Sequence, residues 1–108
     1  MKGDRLGEFE EFTLLAIRAL GDDVYAVPVQ QHVEEATGRP VSLGAVYSAL
    51  TRLENKGYVR SSLGESTAAR GGKAKRMYEV TPLGVRTIRD LHNVRVKLWR
   101  SIAQRGRS

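Results

Sequence analysis

A chain of 108 residues accommodates one compact domain, because soluble domains cluster at about 100 to 150 residues, and it leaves no room for a second. Apolar residues at 41% and charged residues at 28% give an ordinary soluble chain that should fold, and the absence of cysteine excludes a disulfide framework, a thiolate metal site and a thiol nucleophile. The net charge of +6 is unevenly spread: residues 1–41 carry four bases and eight acids, residues 42–108 fourteen bases and four acids. Segregated base excess is what a polyanion binder requires, although a solvated basic surface would look the same. No apolar run approaches the roughly 20 residues that span a bilayer. The opening residues mix Lys2, Asp4, Arg5, Glu8, Glu10 and Glu11 with apolar ones, so neither a signal peptide nor a membrane span is expected, and the cytoplasm is the expected location.

Taken in chain order, Phe9, Phe12, Ala16, Ile17 and Leu20 recur at three- and four-residue spacing and predict a first helix over about 7–20, with Glu8, Glu10 and Glu11 placed where the helix dipole favours acids. Asp22 and Asp23 then form a turn and Tyr25 to Val27 an extended step. Pro28 fits the first turn of a short second helix that runs to about Ala36 and is stopped by Gly38 and Pro40. Ser42 stands as N-cap of a third helix over about 43–56, whose apolar stripe is Leu43, Val46, Leu50 and Leu53 and whose end is marked by Gly57. Tyr58, Val59 and Arg60 begin one strand and Met77 to Val80 form another, which makes the Gly- and Ser-rich stretch from Ser61 to Lys75 the tip of a hairpin. Thr81 followed by Pro82 opens a last helix over about 82–104.

Three features bear on function. Opposite its apolar stripe the third helix carries Gly44, Tyr47, Ser48, Thr51, Arg52 and Asn55. Small residues near the N-terminus would let the backbone enter a DNA major groove about 12 Å wide, with tyrosine, serine and arginine reaching bases or phosphates; a plain polar helix face is weighed equally. The hairpin tip gathers Arg70, Lys73, Lys75 and Arg76 around Gly71 and Gly72, cations on a glycine-rich loop that can follow a sugar-phosphate backbone. It lacks the Gly-Lys-Ser/Thr ending of a nucleotide-binding loop. On the last helix Ile88, Leu91, Leu98 and Ile102 form one apolar stripe, with Val85, His92, Val96, Trp99 and Ala103 adjacent. That arc is too wide for a small core and favours a helix shared with a second subunit over one folded back on its own chain. Trp99 is the candidate to line a pocket for a flat apolar ligand at that interface. His32 and His92 have no companions with metal-ligand spacing, and no nucleophile, base and orienting group can be assembled, so neither an enzyme nor a metal or cofactor site is expected.

Three helices, a two-stranded wing and a closing helix describe a winged helix-turn-helix: a mainly α fold with a small β-hairpin and a C-terminal dimerisation helix. Leu6 to Glu10, Leu14 to Ile17, Gly38 to Tyr47, Leu50, Arg52 to Glu54, Lys56 to Val59, Gly71 to Tyr78 and Val80 to Gly84 stand in the order and at the spacing of one family. Through them the chain resembles the PadR family of bacterial transcriptional regulators over roughly residues 6–100, in its short form with a single C-terminal helix. The resemblance implies a homodimeric repressor on double-stranded DNA, with a DNA-binding unit over 1–81 and a dimerisation helix and tail over 82–108. Ser42, Gly44, Tyr47, Ser48 and Arg52 would then meet the major groove, and Arg70, Lys73, Lys75 and Arg76 the adjacent backbone. The dimer interface, with a candidate pocket for a small hydrophobic or aromatic effector, would draw on Ile88, Leu91, His92, Val96, Trp99 and Ile102. A non-specific architectural DNA binder and a protein-interaction winged helix remain the alternatives.

Overall fold

The structure, a computed structural model, describes residues 5–64 and 75–106. Helix α1 covers Glu8–Ala19. The N–H of its N-cap Gly7 donates to Glu10 Oε1 at 3.0 Å, and Glu8, Glu10 and Glu11 put negative charge in the first turn, where the helix dipole favours it. Gly21 at φ 93°, Asp22 at 63° and Asp23 at 51° reverse the chain, which suits glycine and the short Asp side chain. The Asp22 carboxylate secures the reversal, accepting from Arg18 Nη1 at 2.6 Å and from the Val80 N–H at 3.0 Å.

The expected extended step at Tyr25 to Val27 is displaced. Val24 alone pairs with the later strand, through two backbone hydrogen bonds with Tyr78 at 2.8 and 3.2 Å, and helix α2 already runs over Ala26–Thr37. Starting at Ala26 buries that residue in the core, and Pro28 at the third helical position is harmless because first-turn N–H groups have no intrahelical acceptor. Gly38, at φ 70°, closes α2. The turn into α3 is held by the α2 side chains Gln30, whose Nε2 donates to the Val41 carbonyl at 2.7 Å, and Glu34, which accepts from the Val41 N–H at 2.9 Å.

Helix α3, Leu43–Asn55, starts on Ser42, whose Oγ accepts from the Ala45 N–H at 3.0 Å. Strands β1 (Val59–Leu63) and β2 (Arg76–Val80) form an antiparallel pair in the register Val59 with Val80, Ser61 with Tyr78 and Leu63 with Arg76. Helix α4, Pro82–Arg105, is capped by Thr81, whose Oγ1 accepts from the Gly84 N–H at 3.1 Å and donates to the Gly57 carbonyl at 2.7 Å. Leu14, Ile17, Val29, Val33, Val46, Leu50 and Leu53 are wholly or almost wholly buried where α1, α2 and α3 meet, and Tyr58, Tyr78, Val80 and Ile88 close the core from the hairpin and α4. This is a winged helix: a three-helix unit, a two-stranded wing and a long closing helix.

Candidate nucleic-acid interface

Packing divides α3 into two faces. Val46, Ala49, Leu50 and Leu53 are buried, while Gly44, Tyr47, Ser48, Thr51, Arg52 and Asn55 are exposed. An exposed Tyr47 leaves an aromatic ring in water, and Gly44 has no heavy atom within 4 Å of where a Cβ would stand. Neither residue is required there by the chain's own packing. Ser42 serves locally as the N-cap. The Thr51 hydroxyl donates to the Tyr47 carbonyl at 3.0 Å, so its oxygen follows the helix backbone.

The cations at this surface are anchored at one end. Arg52 Nε donates to Glu10 Oε2 at 2.6 Å, with half of the arginine side chain still exposed. Lys75 Nζ lies 3.9 Å from the centroid of the Tyr25 ring, a cation–π contact between the root of the wing and the start of α2. Arg76 Nη1 donates to Ser61 Oγ at 3.0 Å, and Ser61 in turn donates to Glu54 Oε2 at 2.7 Å. That relay joins the wing to α3. Arg70 and Lys73 lie outside the described residues. Arg60, exposed, and Glu79, partly exposed, stand opposite each other in the ladder and form the 3.1 Å pair of a solvated strand face.

Their place in the sequence marks Glu10 and Glu11 as first-turn acids, but their main partners lie elsewhere in the fold. Both acids are buried. Glu10 binds Arg52 and Lys56 of the α3 C-terminal turn, and Glu11 Oε1 accepts from Arg95 Nη2 of α4 at 2.6 Å. A signal existed in the spacing, because Glu10 stands four residues before Leu14 and seven before Ile17 and so continues the stripe those core residues define. Burial by itself would raise the Glu10 pKa, but hydrogen bonds from Lys56, the Gly7 amide and Arg52, together with the Lys56 charge, bring it from the ordinary 4.5 down to about 2.

The residues expected on the closing helix separate along its length. Ile88 lies within the chain's own core. Leu91 and Val96 are half-buried and His92 is exposed. Beyond them the helix leaves the domain, with Leu98 62%, Trp99 73% and Ile102 63% exposed. A separate open groove between α1 and α2 is lined by Phe12, Leu15, Ala16, Ala19, Val33 and Ala36, and Trp99 does not reach it. Among the described residues no group of three His, Asp or Glu is placed to hold a metal ion, and no helix is long and apolar enough to cross a membrane.

The family model described as the PadR-like transcriptional regulator family matches residues 14–90. The chain belongs to the PadR-like family of transcriptional regulators. Its fold is similar to that of a PadR-like transcription factor from Bacteroides fragilis, at 25% identity with TM-score 0.74 over 89% of this chain and 87% of that one. It is likewise similar to a PadR-like regulator from Bacillus cereus, at 18% identity with TM-score 0.70 over 89% and 88% of the two chains. A third PadR family regulator, from Eggerthella lenta, is 19% identical with TM-score 0.68 over 90% and 84%. Among curated proteins none matches. Membership of the PadR-like family places the chain in DNA-binding transcriptional regulation.

Proposed function

We propose that this PadR-like chain is a sequence-specific, homodimeric repressor rather than an enzyme, and that it reads a pseudo-palindromic operator through α3. The outer face of α3 carries the reading: Tyr47 is about half exposed and no other part of the fold comes near the place a Cβ on Gly44 would take, so two residues that the core does not require occupy the face a major groove would meet. Tyr47, Ser48 and the outward part of Arg52 would reach base edges and phosphates, Ser42 would fix the angle of the helix start, and the wing residues Arg70, Lys73, Lys75 and Arg76 would follow the adjacent backbone. Residues 1–81 then act as the reading unit and residues 82–108 as the dimerisation helix and tail.

The dimer reading rests on the free end of α4, where Val94, Leu98, Trp99 and Ile102 expose an apolar face that a monomer would leave in water. Leu91, His92 and Val96 extend that face, whereas Ile88 is already covered by its own chain. A small hydrophobic or aromatic effector inserted beside Trp99 would regulate by changing the separation of the two α3 helices, provided it binds one separation better than the other.

The test is anisotropy titration at near-physiological salt, using the duplex the protein selects from a randomised pool against a shuffled control of equal length. A preference of about a thousandfold or more is the expected result for specific reading. Tyr47→Ala should weaken the selected duplex by about tenfold or more and leave the control nearly unchanged, whereas Lys75→Gln should weaken both alike. Equal affinity for both duplexes would leave an architectural binder, and no binding at all would point to a protein partner for the basic face.

A further inference from the structure

The family assigns DNA binding to the chain but leaves the carboxylate behind its recognition helix without a role. Glu10 sits on α1, at the rear of α3, with its side chain only 7% exposed. Its Oε2 accepts from Arg52 Nε at 2.6 Å and its Oε1 from Lys56 Nζ at 2.8 Å. Lys56 is held a second time by the Arg5 carbonyl at 2.7 Å, and its side chain is 17% exposed against 50% for Arg52. Arg52 and Lys56 are four residues apart and share one flank of the helix end, so a single carboxylate grips both.

This grip has two consequences for a helix that meets DNA. It draws Lys56 away from the surface, where a flexible ammonium would otherwise add affinity for any phosphate. It also engages the Nε side of the Arg52 guanidinium, which restrains the plane of the group while half of the side chain stays exposed. A buried ion pair is weak support for stability, because an apolar pair of similar volume would hold the helices together as well, but its directionality fixes geometry.

We propose that Glu10 is a positioning residue for DNA recognition: it aims the free part of Arg52 at base edges in the groove and keeps Lys56 out of contact with DNA, so that binding depends on sequence more than on charge. This rests on the reading of α3 as the recognition helix. With Glu10 removed, two cations are released, random-sequence affinity rises, and the aim of Arg52 is lost.

The experiment compares wild type, Glu10→Gln and Arg52→Lys on the selected and shuffled duplexes over a series of salt concentrations, with thermal unfolding of each protein alongside. Glu10→Gln is expected to bind the shuffled duplex several-fold tighter, to steepen its salt slope by about one for each cation engaged, and to lower the selected-to-shuffled ratio about tenfold. A merely structural role would weaken both duplexes together in step with the melting temperature, leaving ratio and slope unchanged, and that result overturns the proposal. Should Glu10→Gln fail to fold, Arg52→Lys decides: it keeps the charge and the Lys56 contact but replaces the planar fork, which can pair one edge with Glu10 and turn the other to a base edge, with a compact ammonium that has no such fixed geometry. The ratio is expected to fall about tenfold with shuffled affinity unchanged, and a ratio equal to wild type overturns the proposal. If wild type itself selects no sequence, the recognition reading fails and this one falls with it; if wild type is selective and both variants remain equally so, the fault lies here alone.

Discussion

Two glycines of this chain have opposite relations to its fold. A Cβ on Gly84 would collide with the Tyr58 carbonyl oxygen and stand 2.7 Å from Val80 Cγ1, because the start of α4 is pressed against the residue that leads into β1 and the last residue of β2. Gly44 occupies the second position of α3 with nothing within 4 Å of its would-be Cβ, although glycine in a helix is less favourable than alanine by up to about 1 kcal/mol. Gly84→Ala is therefore expected to destabilise the protein by about 1–3 kcal/mol through overpacking. Gly44→Ala should leave it as stable or up to about 1 kcal/mol more so, while weakening the selected duplex if DNA closes onto that spot. Chemical denaturation beside anisotropy separates the two effects. A Gly44→Ala protein that bound the selected duplex as wild type would remove Gly44 from the interface.

At the scale of elements, α1 is the beam on which the rest is mounted: its neighbouring acids Glu10 and Glu11 reach in different directions, one to α3 and one to α4. The Glu10 carboxyl has its pKa lowered from 4.5 to about 2, so its ionised form favours the folded state. The stability it contributes is complete above about pH 4.5 and is lost as pH falls towards 2. At about 1.4 kcal/mol per pKa unit this amounts to an effect on the order of 3 kcal/mol, and a Glu10→Gln protein should show a flatter acid limb in urea midpoints measured from pH 5 to about pH 2. A limb as steep as wild type would place that proton uptake elsewhere. Element type and order were legible because each helix carries a period, a start and a stop: Ser42 and Gly57 bracket α3, and Thr81 with Pro82 opens α4. The start of α2 was misplaced by two residues, since nothing local distinguishes a Val24 bridge to Tyr78 from a longer extended step. The exposed face of α3 was likewise readable from its spacing. The anchors of the cations on α3 and the wing were not, because Glu10 to Arg52, Lys75 to Tyr25 and Arg76 through Ser61 to Glu54 are tertiary contacts: spacing marks Glu10 as lying on the core stripe but names no partner for it.

The molecule as a whole is far longer than its core needs, with extents of 66 × 31 × 22 Å. The excess is the free end of α4, a helix of 24 residues and so about 36 Å in length. A helix end that reaches that far from the domain with one apolar, tryptophan-bearing face makes sense when a second copy covers that face, and two copies would set two α3 helices at a fixed separation. Half-sites would then lie about one helical turn, or 34 Å, apart. Leu98 and Ile102 are exposed in the single chain, so Leu98→Glu combined with Ile102→Glu should spare the protomer fold while placing like charges across the shared helices. Sedimentation is expected to show monomers, and affinity for the selected duplex to fall by about a hundredfold or more as the gain from joining two half-sites disappears. The wild-type protein should lose affinity by a similar factor when about five base pairs, half a turn, are inserted between the half-sites, whereas the charged variant should be indifferent to that insertion because it reads each half-site alone. Two half-sites read by one rigid dimer require both outcomes together, and a wild-type protein insensitive to the insertion would mean that the two recognition helices are not held at one distance.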